Sequence, residues 1–474
     1  MAVDVKTHEN VIEWLEERQG RFINIADTIW KNPELALAEY KACKLQADDL
    51  AADGFTITKN VGGLPTAFSA EWTSGEGGPI IGFLGEYNAL PGLSQEQVDT
   101  QAPIVTNGPG HGCGHNLLGT TALAAAGVVK AWLQASGTAA TVRYYGCPAE
   151  ETCEGKVYMA RDGAFDDLDI ALTWHPNAVN TAWATSSLAS SKLKYRFKGR
   201  TAHAAANPET GRSALDAVEL MNVGVNFMRE HMPDAARIHY VITNGGGAPN
   251  VVPDDCEVWS FVRAPERHQV DELIERVYNC ARGAALMTET EVHINFIAGG
   301  YNYLPNKTLT CRIQDTLDEL GPIAFDREEV TFAKTIAATY SEGLRASILA
   351  ADGLPASMID DGLTGDVYPI TGEGDVMPGS TDVSDVSWIA PTGQVLTTCF
   401  VLGAPGHSWA NTATAGMSIG HKGMLHAAKA MALTAADLIL DPTLLQQAKD
   451  EFAESTAGRP FTSPIPPEVK PRKP

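Results

Sequence analysis

The sequence predicts an α/β protein made of a core and an inserted second domain. Short apolar runs alternate with stretches of helical periodicity over residues 1–175. That alternation implies a mostly parallel sheet covered by helices. From about residue 190 the pattern changes to strictly alternating strands and two amphipathic stretches, in the order β-α-β-β-α-β, a split βαβ unit. A chain of 474 residues is also longer than one hydrophobic core usually serves, so two domains are expected.

Residues 8–19 and 34–52 carry apolar side chains at three- and four-residue spacing, so the first 60 residues read as helical. An apolar run over 79–85 predicts a buried strand. A helix is expected over 117–135, then strands over 141–147 and 168–174 with a helix near 156–161. Leu193, Tyr195 and Phe197 alternate and begin the insert, and a helix follows over 213–229. Ile238, Tyr240 and Ile242 alternate again, as do Cys256, Val258, Ser260 and Val262. Val270, Leu273, Ile274, Val277 and Ala281 have helical spacing, and Val292, Ile294 and Phe296 close the unit. The core is therefore expected over 1–189 and 303–474, with its ordered part running to about residue 441, and the insert over 190–302. The proline-rich end, 460–474, is expected to be a loose tail.

Composition narrows the function. An apolar fraction of 44% and a charged fraction of 20% are those of a globular protein. No run of eighteen apolar residues predicts a membrane span. The start, Met1-Ala2-Val3-Asp4, lacks the basic-then-apolar pattern of a signal peptide, which leads to the expectation of a cytoplasmic protein. A net charge of −23 argues against nucleic acid as a partner. A small anionic substrate remains compatible, because a local cationic pocket can sit in a negative protein. The eight cysteines are expected to be thiols.

One of those thiols stands apart. Pro109-Gly110-His111-Gly112-Cys113-Gly114-His115-Asn116 sets a thiol and two imidazoles among glycines. Glycine permits backbone angles that can fold two side chains onto one point, and thiolate and neutral imidazole both ligate zinc-like metals. Glu150-Glu151 and His175 follow predicted strands, and His407 lies in a Gly/Pro-bracketed segment. Polar residues at strand ends are where an α/β enzyme places its site. Cys113, His115, Glu151, His175 and His407 make a five-donor set, too many for one tetrahedral zinc and suited to two metals. Of two adjacent glutamates, one can bind metal while its neighbour moves a proton. His115 alone would read as a buried or helix-capping histidine, and His421 and His426 read as surface or packing residues.

Gly110-His111-Gly112-Cys113-Gly114-His115-Asn116, Pro148-Ala149-Glu150-Glu151, Thr173-Trp174-His175-Pro176 and Ala202-His203-Ala204 occur in order. Supporting stretches are Glu86-Tyr87-Asn88-Ala89-Leu90-Pro91, Gly211-Arg212-Ser213, Pro249-Asn250-Val251 and Gly379-Ser380-Thr381-Asp382. Together, over about residues 10–440, the chain resembles the aminoacylase/carboxypeptidase-type dinuclear metallopeptidases, in their amidohydrolase branch with hippurate and auxin-conjugate hydrolases. The resemblance implies a three-layer α/β metallopeptidase core with a ferredoxin-like insert acting as lid and dimerisation domain. It implies Cys113, His115, Glu151, His175 and His407 as ligands of two divalent metals, zinc or manganese first and cobalt or nickel next. It implies Glu150 as general base and His203 as a group that reaches the site of the partner chain to stabilise the oxyanion. Asn250 and Arg263 are the residues expected to grip a substrate carboxylate.

The implied activity is metal-dependent cleavage of an N-acyl amino acid, with an aroyl conjugate such as p-aminobenzoyl-glutamate in the lead. Another amide conjugate (a dipeptide, an auxin-aspartate or a carbamate) is the alternative, and a non-catalytic member of a heteromeric amidohydrolase is a third. A homodimer is implied, or a hetero-oligomer with a related but distinct chain of the same branch. One departure stands out. The branch usually has an aspartate where this chain has Asn88, an amide that can orient a ligand but adds no charge. Glu86 is then the alternative source of that charge.

Overall fold

In a computed structural model, which describes residues 5–457 and 459–473, the chain begins with α1 (Val5–Lys31), α2 (Tyr40–Ala52), β1 (Thr56–Lys59), β2 (Phe68–Ser74) and β3 (Ile80–Glu86). It continues through α3 (His115–Ser136), β4 (Ala140–Cys147), α4 (Gly155–Arg161), β5 (Ile170–Asn177) and β6 (Thr181–Ala182). The insert comprises β7 (Ala189–Lys198), α5 (Ala214–Met228), β8 (Arg237–Asn244), β9 (Asp255–Ala264), α6 (Arg267–Thr288) and β10 (Glu291–Gly300). The core resumes with α7 (Lys307–Leu320), α8 (Arg327–Ala337), α9 (Glu342–Ala351), α10 (Val383–Ser387), β11 (Thr392–Thr398), α11 (Trp409–Ala415), α12 (Ser418–Leu440) and α13 (Pro442–Ser455).

Side-chain alternation along the central strands sets the layers. Ile81, Phe83, Val142, Tyr144, Ile170, Leu172 and Val395 bury against α3, α7 and α12, with α1 packed on α3 and α12 behind them. Leu84, Tyr145, Cys147 and Ala171 face the other way, onto Val157 and Tyr158 of α4 and Val386 of α10. The result is helix, sheet and helix, an α/β sandwich with the apolar α3 inside it. The sheet order is β1-β2-β4-β3-β5-β11-β6. Only the central junctions, β4–β3, β3–β5 and β5–β11, are parallel, and the outer junctions β1–β2, β2–β4 and β11–β6 are antiparallel.

The sheet is thus mixed, a correction to the mostly parallel expectation. The link over 60–67 is too short for the crossover that parallel neighbours need, so β1 and β2 pair as a hairpin. Strand β1, which starts at Thr56, also corrects the reading of the first 60 residues as helical. Helix α1 runs well past the predicted 8–19, because Phe22, Ile25, Ala26 and Ile29 continue its buried face. The next helix starts at Tyr40, where the Glu34 carboxylate accepts from the backbone N–H groups of Lys41 and Ala42.

The insert is a four-stranded antiparallel sheet in the order β10-β7-β9-β8. Leu193, Tyr195, Phe197, Val258 and Val262 bury against α5 and α6. Lys192, Trp259, Phe261 and Arg263 alternate with them and form the opposite face. Strand β8 is an edge, with every residue but Ile238 exposed.

Two helices, α3 and α12, are long and apolar enough to cross a membrane, which the absence of an eighteen-residue apolar run did not suggest. Here both are core helices, with 94% and 78% of their apolar windows buried. The tail also departs from expectation. Ile465 is buried beside Phe461 and Val469 in the α4-side core, Arg161 donates to the Val469 carbonyl, and Arg472 pairs with Glu154 at 2.9 Å. These contacts join segments some 300 residues apart in sequence, so composition alone could not reveal them. Ile465→Ala should therefore destabilise the chain by about 2–5 kcal/mol, the range for emptying a buried isoleucine site. Urea unfolding would show this as a lowered midpoint, and an unchanged midpoint would mean that the tail does not dock.

Candidate metal centre

Strands β4, β3, β5 and β11 lie side by side and parallel, so their carboxyl ends share one rim of the sheet. Glu86 closes β3, and Asn88 follows it. Cys147 closes β4, and a single turn then carries Glu150 and Glu151. His175 lies near the end of β5, opposite Leu396 of β11. His407 sits in the loop after β11, with a positive φ of 50°. Cys113 and His115 come from the start of α3, whose N-cap, Gly114, has φ +73°. A Cβ at Gly114 would stand 2.9 Å from Pro176 Cγ and 3.1 Å from Phe400 Cζ. Glycine is needed there both for the left-handed backbone and for the close approach.

The structure brings all five predicted donors together. Cys113, His115 and His175 offer donor atoms within 4.8 Å of one another, and so do Cys113, Glu151 and His407. Cys113 is common to both groups. Its Sγ lies 3.3 Å from His175 Nε2, while His175 Nδ1 faces the Pro176 carbonyl at 2.8 Å. That contact requires the proton on Nδ1 and leaves Nε2 free to ligate. His407 Nε2 lies 3.5 Å from Glu151 Oε2. His115 Nε2 and Glu151 Oε1 are buried with no hydrogen-bond partner among the described residues. Orphaned donor atoms on soft and borderline ligand types, in two overlapping groups, fit a pair of divalent cations.

The electrostatics agree. Burial pushes the Cys113 thiol and the Glu150 carboxyl well up, and nearby carboxylates push both further. Burial raises Glu151 to about 7 and lowers His175 to about 4. The imidazoles are therefore neutral and ready to ligate. The acids crowd one another and would carry their charges readily only beside cations.

A cavity of about 840 Å³ opens onto this cluster. Arg263, Lys192, Trp259 and Phe261 line it from the insert. Lys192 Nζ lies 5.0 Å and the Arg263 guanidinium 5.6 Å from the Phe261 ring centroid. His203 and Asn250 are elsewhere. They sit on adjoining exposed loops of the insert, joined by the Ala204 N–H to Asn250 carbonyl bond, and neither lines the cavity. His203 Nδ1 accepts from the backbone N–H groups of Ala205 and Ala206. Of the neighbouring histidines, His111 is buried and His421 bonds Asp27 at 2.8 Å. Trp174 is a core residue that donates to the Leu118 carbonyl.

Sequence reasoning missed Lys156 and Lys192. Lys156 is fully buried, 2.5 Å from Glu86 and 2.6 Å from Asp382. A lysine inside an otherwise apolar turn, Lys156-Val157-Tyr158-Met159-Ala160, was the available signal. Lys192 sits between the apolar positions of β7, where its pairing with Phe261 depends on strand register.

Residues 184–289 match the M20 peptidase dimerisation domain. The chain is 46% identical to the second of the two named chains of p-aminobenzoyl-glutamate hydrolase from Escherichia coli K12, over 96% of this chain and 97% of that protein. It is 27% identical to the first of those chains, over 47% of this chain and 53% of that one. It is 31% identical to the Xaa-Arg dipeptidase of Mus musculus, over 93% and 90% respectively. Its fold matches the crystal structure of the Bacillus subtilis YXEP protein, a dinuclear metal-binding peptidase of the M20 family. That match has a TM-score of 0.57 and 17% identity, covering 90% of this chain and 99% of the other.

Two measurements probe the centre. Gly114→Ala places a side chain where the left-handed backbone alone costs about 1–2 kcal/mol, before the contacts with Pro176 and Phe400. Its affinity for divalent cations should fall about tenfold or more in a titration of the chelated protein. In wild type, protons compete with cations for Glu151, so affinity should rise as pH passes upward through about 7 and uptake should release protons. Calorimetry in buffers of different ionisation enthalpy would detect the release, and a pH-independent affinity would contradict this account.

Proposed function

The chain belongs to the M20 peptidase family and is an amidohydrolase of that family; we propose that it cleaves an N-acyl amino acid, with p-aminobenzoyl-glutamate as the leading substrate. The products are a carboxylic acid and a free amino acid. The observation that carries this reading is the pairing of a donor cluster with a cavity wall that combines cations and aromatic rings, Lys192, Trp259, Phe261 and Arg263. An Arg263 fork suits a carboxylate, and Trp259 and Phe261 offer faces for an aryl group. Trp259 Nε1 and Arg263 Nε are both buried without a hydrogen-bond partner among the described residues, which leaves donors for a ligand. The similarity to the E. coli p-aminobenzoyl-glutamate hydrolase chain supports the same substrate.

In this reading Cys113, His115, Glu151, His175 and His407 hold two divalent cations, zinc or manganese first, with cobalt or nickel able to take such donors. Held there, the cations would polarise the amide carbonyl and lower the pKa of the attacking water. Glu150 takes the proton from that water at its carboxylate and returns it to the leaving nitrogen. Its backbone N–H donates to Asn88 Oδ1 at 3.1 Å, which anchors the turn that presents it. Lys192, held by the Thr152 carbonyl, adds positive charge near the substrate carboxylate.

His203 and Asn250 would act across a dimer. The unpaired edge of β8 and the exposed Leu220, Val223 and Phe227 of α5 support an interface on the insert. A second copy is the first choice of partner. A hetero-oligomer with a related chain, of the kind that forms the other half of the E. coli hydrolase's name pair, is the alternative. A second substrate reading, a dipeptide, draws on the similarity to the Xaa-Arg dipeptidase and on Asp352, an acid on the cavity wall that could meet a cationic side chain.

Glu150→Ala should lower kcat for p-aminobenzoyl-glutamate by about 10²–10⁴-fold while the protein keeps its cations. A rate close to wild type would remove Glu150 from the proton path. Mixed dimers of Glu150→Ala and His203→Ala chains should regain activity that neither variant has alone. One site of such a dimer combines an intact Glu150 with an intact His203 from its neighbour. Absence of recovery would exclude a role for His203 in the partner's site.

A further inference from the structure

The proton positions around His115 can be assigned from its neighbours. Asn88 Oδ1 accepts the Glu150 backbone N–H at 3.1 Å, so the amide is oriented with its oxygen toward the turn. The same oxygen lies 3.2 Å from His115 Nδ1. An oxygen cannot donate, so Nδ1 carries the hydrogen and the lone pair of the neutral ring is on Nε2. That atom is fully buried, has no hydrogen-bond partner among the described residues, and faces Glu86 Oε2 at 3.4 Å and Glu150 Oε2 at 3.9 Å. A lone pair set against carboxylate oxygens is repulsive unless a cation lies between them.

Glu86 is itself held for this task. Its Oε1 accepts from Lys156 Nζ at 2.5 Å. Lys156 Nζ also donates to Asp382 Oδ1 at 2.6 Å, and the Lys156 backbone N–H donates to Asp382 Oδ2 at 2.7 Å. Two buried carboxylates share one ammonium, so the triad carries one uncompensated negative charge. Asp382 has both oxygens engaged, which leaves Glu86 Oε2 as the free atom, on the cavity side. An unpaired buried charge is costly, and a cation shared with His115 would balance it.

Resting on the metal reading above, we propose that Glu86 is a further carboxylate ligand of the centre, sharing a cation with His115, and that Lys156 and Asp382 are positioning residues that aim it. Asn88 then orients His115 without charge, and Glu86 supplies the negative charge that an aspartate at position 88 would have brought.

Metal counting tests this independently of hydrolysis. The full chain is stripped by chelation, then titrated with Zn²⁺ and, separately, Mn²⁺ in equilibrium dialysis with elemental analysis. Wild type should take up two cations. Glu86→Gln leaves Lys156 and Asp382 as a balanced pair, so circular dichroism and melting should stay close to wild type. It should lose one cation or bind it about 10–100-fold more weakly. Glu86→Asp keeps the charge for Lys156 but draws the free oxygen back by one methylene. It should also weaken one cation, and it serves if the glutamine variant does not fold. Two cations at unchanged affinity in the folded variants would overturn the assignment of Glu86 alone. A wild-type chain that binds no cation would refute the metal centre as a whole.

Discussion

The left-handed turn at Gly114 is the constraint on which the site depends. Helix α3 is wedged between the sheet, α1 and α12, and from His115 through Lys130 every residue is buried. Its first residue therefore has little freedom to move. The turn immediately before it sets Cys113 beside His175 of β5, while His115 faces Glu86 at the end of β3. The core packing thus fixes both ends of a two-donor clamp, and β5 supplies the third member, His175. Apolar burial of α3 thus fixes where the donors start from. This is the arrangement expected where a site sits on rigid elements.

Charge is the second organising quantity. A chain with a net charge of −23 gathers Glu86, Glu150, Glu151 and Asp382 within one rim of its sheet and sets one ammonium, Lys156, in direct contact with two of them. Across the cavity the sign reverses, with Lys192 and Arg263 on the insert. An anionic substrate meets attraction on the insert side, and cations meet attraction on the core side. The acidic exterior does not conflict with an anionic ligand, because the local field of the cavity wall is what a small molecule senses.

Much of this was legible in the order of residues. Glu151 and His175 are metal-donor types placed where apolar strands stop, Cys113 and His115 stand in a glycine-rich run before a helix, and His407 lies in a Gly/Pro-bracketed segment. The alternation of Leu193, Tyr195 and Phe197 marked the insert for the same reason, since one face of β7 is buried. What was hidden depends on contacts distant in sequence. Lys156 belongs to a helix of about two turns, too short for periodicity, and its importance comes from Asp382, more than 200 residues away. The antiparallel edges follow from link lengths, which apolar patterning does not encode. Ile465 lies in a proline-rich segment whose composition reads as loose, and only its docking beside α4 makes it a core residue. Arg263 lines the cavity. His203 and Asn250 lie on exposed loops of the insert, outside the cavity.

The most direct test of the account couples metal content to turnover. Purified chain would be assayed for glutamate release from p-aminobenzoyl-glutamate while its bound cations are counted, before chelation, after chelation and after metal is restored. Two cations per chain, loss of glutamate release on chelation, and recovery on reloading that fails in Cys113→Ser are expected. Undiminished release from the chelated chain, or full metal occupancy and full turnover in Cys113→Ser, would contradict a centre built around the Cys113 thiolate.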